Sequence, residues 1–218
     1  MLELYLSTLV TLFVIIDPVG CAPIFAGLTA GATPAHARRT AVRSVVIAAI
    51  ILVAFALFGK GLLGALNVGL DAFRIAGGIM LFLIALDMVF EKQTRRRTER
   101  AEKVLHAKSA TPAAPPVPAE DIAVFPMAMP MIAGPGSIAT VMLLMGRAQG
   151  WAQIVTVLAA LATVLTVMLC ALLAARPIMR LLGTQVEAVM TRVLGVLLGA
   201  LAVQYVLDGV RGAIHAAH

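Results

Sequence analysis

Asp17 is the one acid near the middle of an apolar stretch in this chain of 218 residues, and it stands in a run of helix breakers. Pro18 and Pro23 lack backbone N–H groups and clash with the preceding turn, and Gly20 loosens the chain between them. A second group of breakers, Pro126, Pro130, Gly134, Pro135 and Gly136, falls within eleven residues. A helix interior loses roughly 3 kcal/mol per proline and about 1 kcal/mol per glycine. In lipid, every freed N–H or C=O group is costly unless it finds a partner. Such segments survive only inside protein or beside a polar cavity. Each break exposes a helix N-terminus with unpaired N–H groups and a partial positive charge, which suits an anionic group such as a carboxylate. The expected donors are the amides of Gly20 and Cys21 at the first break and of Gly136, Ser137 and Ile138 at the second. The Ser137 and Thr140 hydroxyls either line the same wall or bond back to their own helix.

An ionised Asp at the centre of a spanning helix costs about 2.5–3.5 kcal/mol on insertion scales. Asp17 is therefore expected to be protonated part of the time, paired with a cation, or facing water. In those states it can couple a proton or sodium ion, or meet a substrate ammonium. Capping the second half of a kinked helix is a compatible role. Arg74 and Arg192 fall at span starts, where a cation opposes the helix dipole. Each calls for a partner, Asp71 in the case of Arg74, or else snorkels to the interface. Asp87 and Asp208 lie near span ends and read as interfacial. The four histidines, His36, His106, His215 and His218, fall in loops or the tail. There is no His-Glu-x-x-His, no Gly-x-Ser-x-Gly and no second midplane acid, so neither enzymatic chemistry nor a metal site or cofactor is expected.

The elements that must hold these residues are membrane helices. The AVILMFWYC set makes up 61% of the chain and charged residues 13%, against roughly 45–50% apolar and about 25% charged in soluble domains. That excludes a water-soluble fold, a disordered chain, a nucleic-acid domain and a disulfide scaffold. Six continuous apolar runs, at 4–30, 44–63, 72–90, 122–146, 152–175 and 191–210, each approach the roughly 20 residues that a spanning helix needs. Thirteen residues of the first run precede Asp17 and thirteen follow it, and twelve of the fourth precede Gly134. Both breaks are thus expected near the bilayer midplane. The stretch 91–121, with its Arg95-Arg96-Arg97 run and its Pro/Ala segment, reads as a linker. Loops one, three and five hold twelve Lys/Arg and the opposite side three, which places those loops in the cytoplasm and both termini outside. The net charge of +6 is therefore read as topology. The N-terminus lacks a basic n-region, so a cleaved signal peptide is not expected. Cys21 and Cys170 both fall in apolar runs, where a structural disulfide is not expected.

The two halves resemble each other. Gly20 and Gly136, at the breaks, are 116 residues apart, and the Arg-x-x-Gly starts at Arg74 and Arg192 are 118 apart. A duplicated unit of three spans must enter the membrane from opposite sides, as an inverted-topology repeat. The expected fold is an all-α membrane protein of six transmembrane helices. They form two inverted three-helix repeats, 1–90 and 122–218, with broken first and fourth helices and a cytoplasmic linker at 91–121.

Three stretches, IDPVGCAPIF (16–25), FRIAGGIMLFLIALDM (73–88) and PMAMPMIAGPGSIAT (126–140), resemble the MarC family of integral membrane proteins, in order and over nearly the whole chain. The resemblance implies a bacterial inner-membrane protein with six spans, among whose relatives are ion-coupled transporters of small neutral amino acids. The family usually carries Asn where this chain has Cys21, and the linker here is longer than usual. The expected function is a secondary transporter of a small neutral solute, a small amino acid, coupled to protons or sodium. A passive channel or a lipid-handling protein also suits broken helices. The expected site comprises Asp17, Pro18, Gly20, Cys21, Pro23, Gly134, Pro135, Gly136, Ser137 and Thr140, with Arg74, Arg192 and Asp87 in support. Expected partners are the solute, the coupling ion and the lipid bilayer, with no nucleic acid; a homo-oligomer is left open.

Overall fold

The computed structural model of the chain describes residues 1–29, 31–90 and 123–216. The linker expected at 91–121 lies outside the described residues. All elements are helical: α1 (Leu2–Ile16), α2 (Pro18–Leu28), α3 (Pro34–Ala65), α4 (Leu70–Val89), a π-helix (Ala123–Ile132), α5 (Pro135–Arg147), α6 (Trp151–Leu173) and α7 (Ala175–Ala216). No strand occurs among the described residues.

The sequence dictates most of the boundaries. The residue before a proline is pushed out of the α region, and Asp17, before Pro18, takes φ 53° and ψ 67°. Pro18 then opens α2 at the first helical position, where its missing N–H costs nothing. Thr29 ends α2, its hydroxyl donating to the Phe25 carbonyl at 2.8 Å. Thr33 caps α3 by accepting from the His36 amide at 3.3 Å, again with a proline, Pro34, at the first position.

Five helices among the described residues are long and apolar enough to cross a membrane: Leu2–Leu28, Pro34–Ala65, Leu70–Val89, Trp151–Leu173 and Val189–His215. The run at 122–146 is broken at the expected place, a π-helix followed, after Ala133 and Gly134, by the 13-residue α5; the π winding is new, and two boundaries need correction. Two prolines four residues apart explain the widened winding: each lacks an N–H and crowds the carbonyl four residues back, and an i→i+5 ladder such as Ala133 N–H to Ala128 C=O, 2.9 Å, avoids that register. The second helix begins ten residues before residue 44, because helix propensity carries α3 through the polar Arg38–Arg39 stretch where apolarity stops. The fifth loop is helical backbone: α6 and α7 are separated by Ala174 alone.

Packing runs chiefly between the chain before residue 90 and the chain after 123. α1 lies on α6 and the π-helix on α3; α2 contacts α6 and α7, while α5 contacts α3 and α4; α4 and α7 form the most extensive pair. One core gathers Ile16, Cys21, Ala22 and Phe25 with Met127, Ile132, Ala133, Val141 and Leu161. A second joins Val14 and Ile15 to Leu81, Leu143, Leu198 and Tyr205. Large apolar side chains point outward along the same helices, among them Ile50 and Leu57 of α3, Ile79 and Leu83 of α4, and Val196 and Val203 of α7. A continuous apolar exterior of this kind is a lipid-facing surface.

Candidate functional site

The two breaks come together. Ile16 and Cys21, which bracket the first, share a core with Ile132 and Ala133, which lead into the second. Gly136 sits against α1 and α4 so closely that an added Cβ would lie 3.7 Å from Ile15 Cγ2 and 2.6 Å from Ile84 Cδ1. Glycine at 136 thus makes room for Ile84 of α4, while toward Ile15 of the first break a Cβ would make only ordinary contact.

Asp17 is buried, with 2% of its surface exposed. Its Oδ1 accepts from the Gly20 amide at 3.0 Å, and its carbonyl accepts from the Cys21 amide at 3.1 Å. The carboxylate therefore occupies the N-terminus of α2 itself, where a capping acid also meets the positive end of the helix. The Gly20 and Cys21 amides, read from sequence as donors for a ligand, are engaged by Asp17. Gly20 makes room for this cap, since an added Cβ would run into the Asp17 carboxylate. The Cys21 thiol, fully buried, lies 3.7 Å from the Ile16 carbonyl as donor. Pro23 stays within α2.

The second break is built differently. Gly134 has no side chain to cap α5, and Pro135 takes the first helical position. The ladder of α5 opens with the Ile138 amide on the Gly134 carbonyl at 3.0 Å. The amides of Gly136 and Ser137 precede that bond, as the leading N–H groups of a helix do. Ser137 and Thr140 are both buried, and Thr140 Oγ1 has no hydrogen-bond partner. The two breaks thus bring into one region of the fold a capping acid, an uncapped helix N-terminus and a spare hydroxyl.

The supporting residues lie at the two ends of the α4–α7 pair. Arg74 pairs with Asp71, Nη1 to Oδ1 at 2.7 Å, next to Gly209 and Gly212 of α7. Asp87 is half-buried near the other end of α4, and Arg192 is exposed one turn before Gly195, which packs on Met88 and Val89.

Sequence reasoning missed a polar cluster on α5 and α7. Arg147 Nη2 donates to Asp208 Oδ2 at 2.6 Å, and the guanidinium carbon lies 4.9 Å from the centre of the Tyr205 ring. The two charged residues are 61 positions apart on separate helices. No local spacing announces them; only the fold, which brings Arg147 at the end of α5 to Tyr205 and Asp208 of α7, does.

Comparison with known proteins gives one consistent result. The model of the MarC family, described as MarC family integral membrane protein, matches residues 2–214. A UPF0056 membrane protein of Methanocaldococcus jannaschii is 35% identical over 213 residues, covering 98% of each chain. UPF0056 membrane protein YvbG of Bacillus subtilis is 31% identical, covering 97% of this chain and 96% of its own. UPF0056 membrane protein YhcE of Escherichia coli is 30% identical, covering 95% and 92% respectively. No solved structure matches the chain.

Proposed function

The chain belongs to the MarC family of integral membrane proteins, and on that premise we propose that it is a secondary transporter of a small neutral solute, a small amino acid, driven by a proton or sodium gradient. The observation that carries the reading is a buried acid at one helix break packed against a second, uncapped break. The solute carboxylate would sit on the Gly136 and Ser137 amides, with Thr140 beside it. The solute ammonium, or the coupling cation, would meet Asp17. Taking up a cation there trades against the cap that Asp17 gives α2, so binding and the angle of the α1–α2 joint share one carboxylate.

The same reading makes the fold six crossings in two inverted three-helix units, with α1–α2 and the π-helix–α5 segment as counterparts. Exchanging the halves turns α1 on α6 into the π-helix on α3, α2 on α6 into α5 on α3, and α2 on α7 into α5 on α4. All of these contacts occur, which supports a pseudo-two-fold relation. The cation-rich loops one, three and five would face the cytoplasm of a bacterial inner membrane, and the termini the opposite side. Cavities approach the breaks from both ends: one reaches Phe25 and Thr29 beyond the first break, the other reaches Thr11 before it. That is what alternating access from two sides needs.

The test is uptake of glycine or L-alanine by proteoliposomes under an imposed proton or sodium gradient. Wild type accumulates solute, while Asp17→Asn, which can still cap α2, folds but does not accumulate. Full accumulation by Asp17→Asn, or none by wild type with any small amino acid, defeats the proposal.

A further inference from the structure

At the end of the molecule that carries the N-terminus, α1, α5, α6 and α7 enclose a cavity of about 250 Å³. Its polar lining includes Thr8 and Thr11 of α1, Arg147 of α5, Gln153 of α6, and Gln204 and Tyr205 of α7. The bonds among these groups decide what faces the space. Asp208 is held from behind: Oδ2 accepts from Arg147 at 2.6 Å and Oδ1 accepts from Gln204 Nε2 at 2.7 Å. Gln153 spends its carbonyl oxygen on the Gln149 amide at 2.8 Å, which leaves its amide nitrogen to donate. The guanidinium has five N–H donors, and the fork suits a carboxylate. The Tyr205 ring under it fixes its plane.

Thr8 supplies an independent sign. It is wholly buried, lines the cavity, and its hydroxyl has no hydrogen-bond partner. Thr156, Thr163 and Thr166 show the ordinary solution in this protein, each donating to the carbonyl four residues back at 2.8–2.9 Å. Thr8 does not take it. A buried hydroxyl without a partner calls for one from outside the chain.

The geometry points to a second solute site in this cavity, an antechamber for a compact molecule carrying a carboxylate. Arg147 is its anion partner and Thr8 a hydroxyl contact. The inference rests on the transport reading only for its purpose, a waiting position on the route to the breaks. Thr11 at its floor is six residues before Asp17, about 9 Å along the helix. Thr140, the other partnerless hydroxyl of this region, is seven residues before Arg147 on α5.

The experiment is calorimetric titration of the full-length protein in nanodiscs with acetate, glycine and L-alanine, and with glycinamide as the probe lacking a carboxylate. Wild type binds the three carboxylates in preference to glycinamide. Arg147→Gln weakens L-alanine at least about tenfold, the usual worth of a hydrogen bond to a charged group. Arg147→Lys, which keeps the charge and loses the fork, falls between, and Thr8→Val weakens it roughly threefold. If Arg147 merely ties α5 to α7, the double exchange Arg147→Asp with Asp208→Arg restores affinity; the antechamber requires it to stay weak. Wild-type affinity in Arg147→Gln, full recovery in the double exchange, or no heat from any carboxylate overturns the site. Uptake by the same proteins separates the two ideas. Unchanged binding by Arg147→Gln alongside loss of accumulation in Asp17→Asn removes the antechamber and keeps the transporter. Arginine-dependent binding without accumulation under any gradient does the reverse.

Discussion

Asp17 holds a left-handed backbone that costs a residue with a side chain about 1–2 kcal/mol, and it repays this by capping α2. The contact behind it is tight enough to test. Gly20→Ala puts a methyl against the carboxylate and is expected to lower stability by about 1–3 kcal/mol, read as the melting temperature in detergent. Gly27→Ala, with nothing near its Cβ, is expected to be neutral or to gain up to about 1 kcal/mol. Equal melting of the two would mean the cap does not constrain residue 20. Thr140→Val removes a hydroxyl that has no partner, so stability holds or rises by about 1 kcal/mol while uptake falls; a variant that loses stability and keeps uptake would count against the site. The sequence announces Asp17, Pro18 and the glycines as a break, because proline chemistry is local. It also offers Asp17 as a cap for α2, and the Gly20 amide at the third helical position is the donor it meets. It does not say how the carboxylate is shared between cap and ligand, since the two differ only in a side-chain torsion.

At the scale of elements, apolar run length located α1–α2, α4 and α6 to within a few residues, because lipid thickness sets it. It misjudged α3 and α7, whose helices continue into polar sequence, and it placed the break of the fourth run without the π winding that precedes it. Proline spacing flagged trouble there, but a break and a widened winding are alternative answers to the same prolines. The α4–α7 pair rests on small residues: an added Cβ at Gly78 would lie 2.8 Å from the Ala202 carbonyl, and at Gly209 2.8 Å from the Asp71 carbonyl. Backbone cannot step aside as a side-chain tip can. Gly78→Ala is therefore expected to lose about 1–3 kcal/mol, measured by thermal unfolding in nanodiscs, and an unchanged melting point would show the pair to be looser than described.

For the whole molecule, the decisive arrangement is that helices before residue 90 find their main partners after residue 123. Charge asymmetry and offset hinted at two halves, yet nothing in the residues said that the halves interlock instead of standing side by side. Expressed alone, residues 1–90 are expected to be degraded, and supplying 91–218 from a second gene is expected to rescue them; immunoblots of membrane fractions read both. A stable first half on its own would refute the interlock. The same arrangement bears on biogenesis. A ribosome delivers the first half to the bilayer before any of its partners exist, so for that interval Asp17 and the bare face of α4 must be tolerated by lipid or shielded by insertion machinery. Synthesis speed through the second half then sets how long quality-control proteases can reach the unfinished chain.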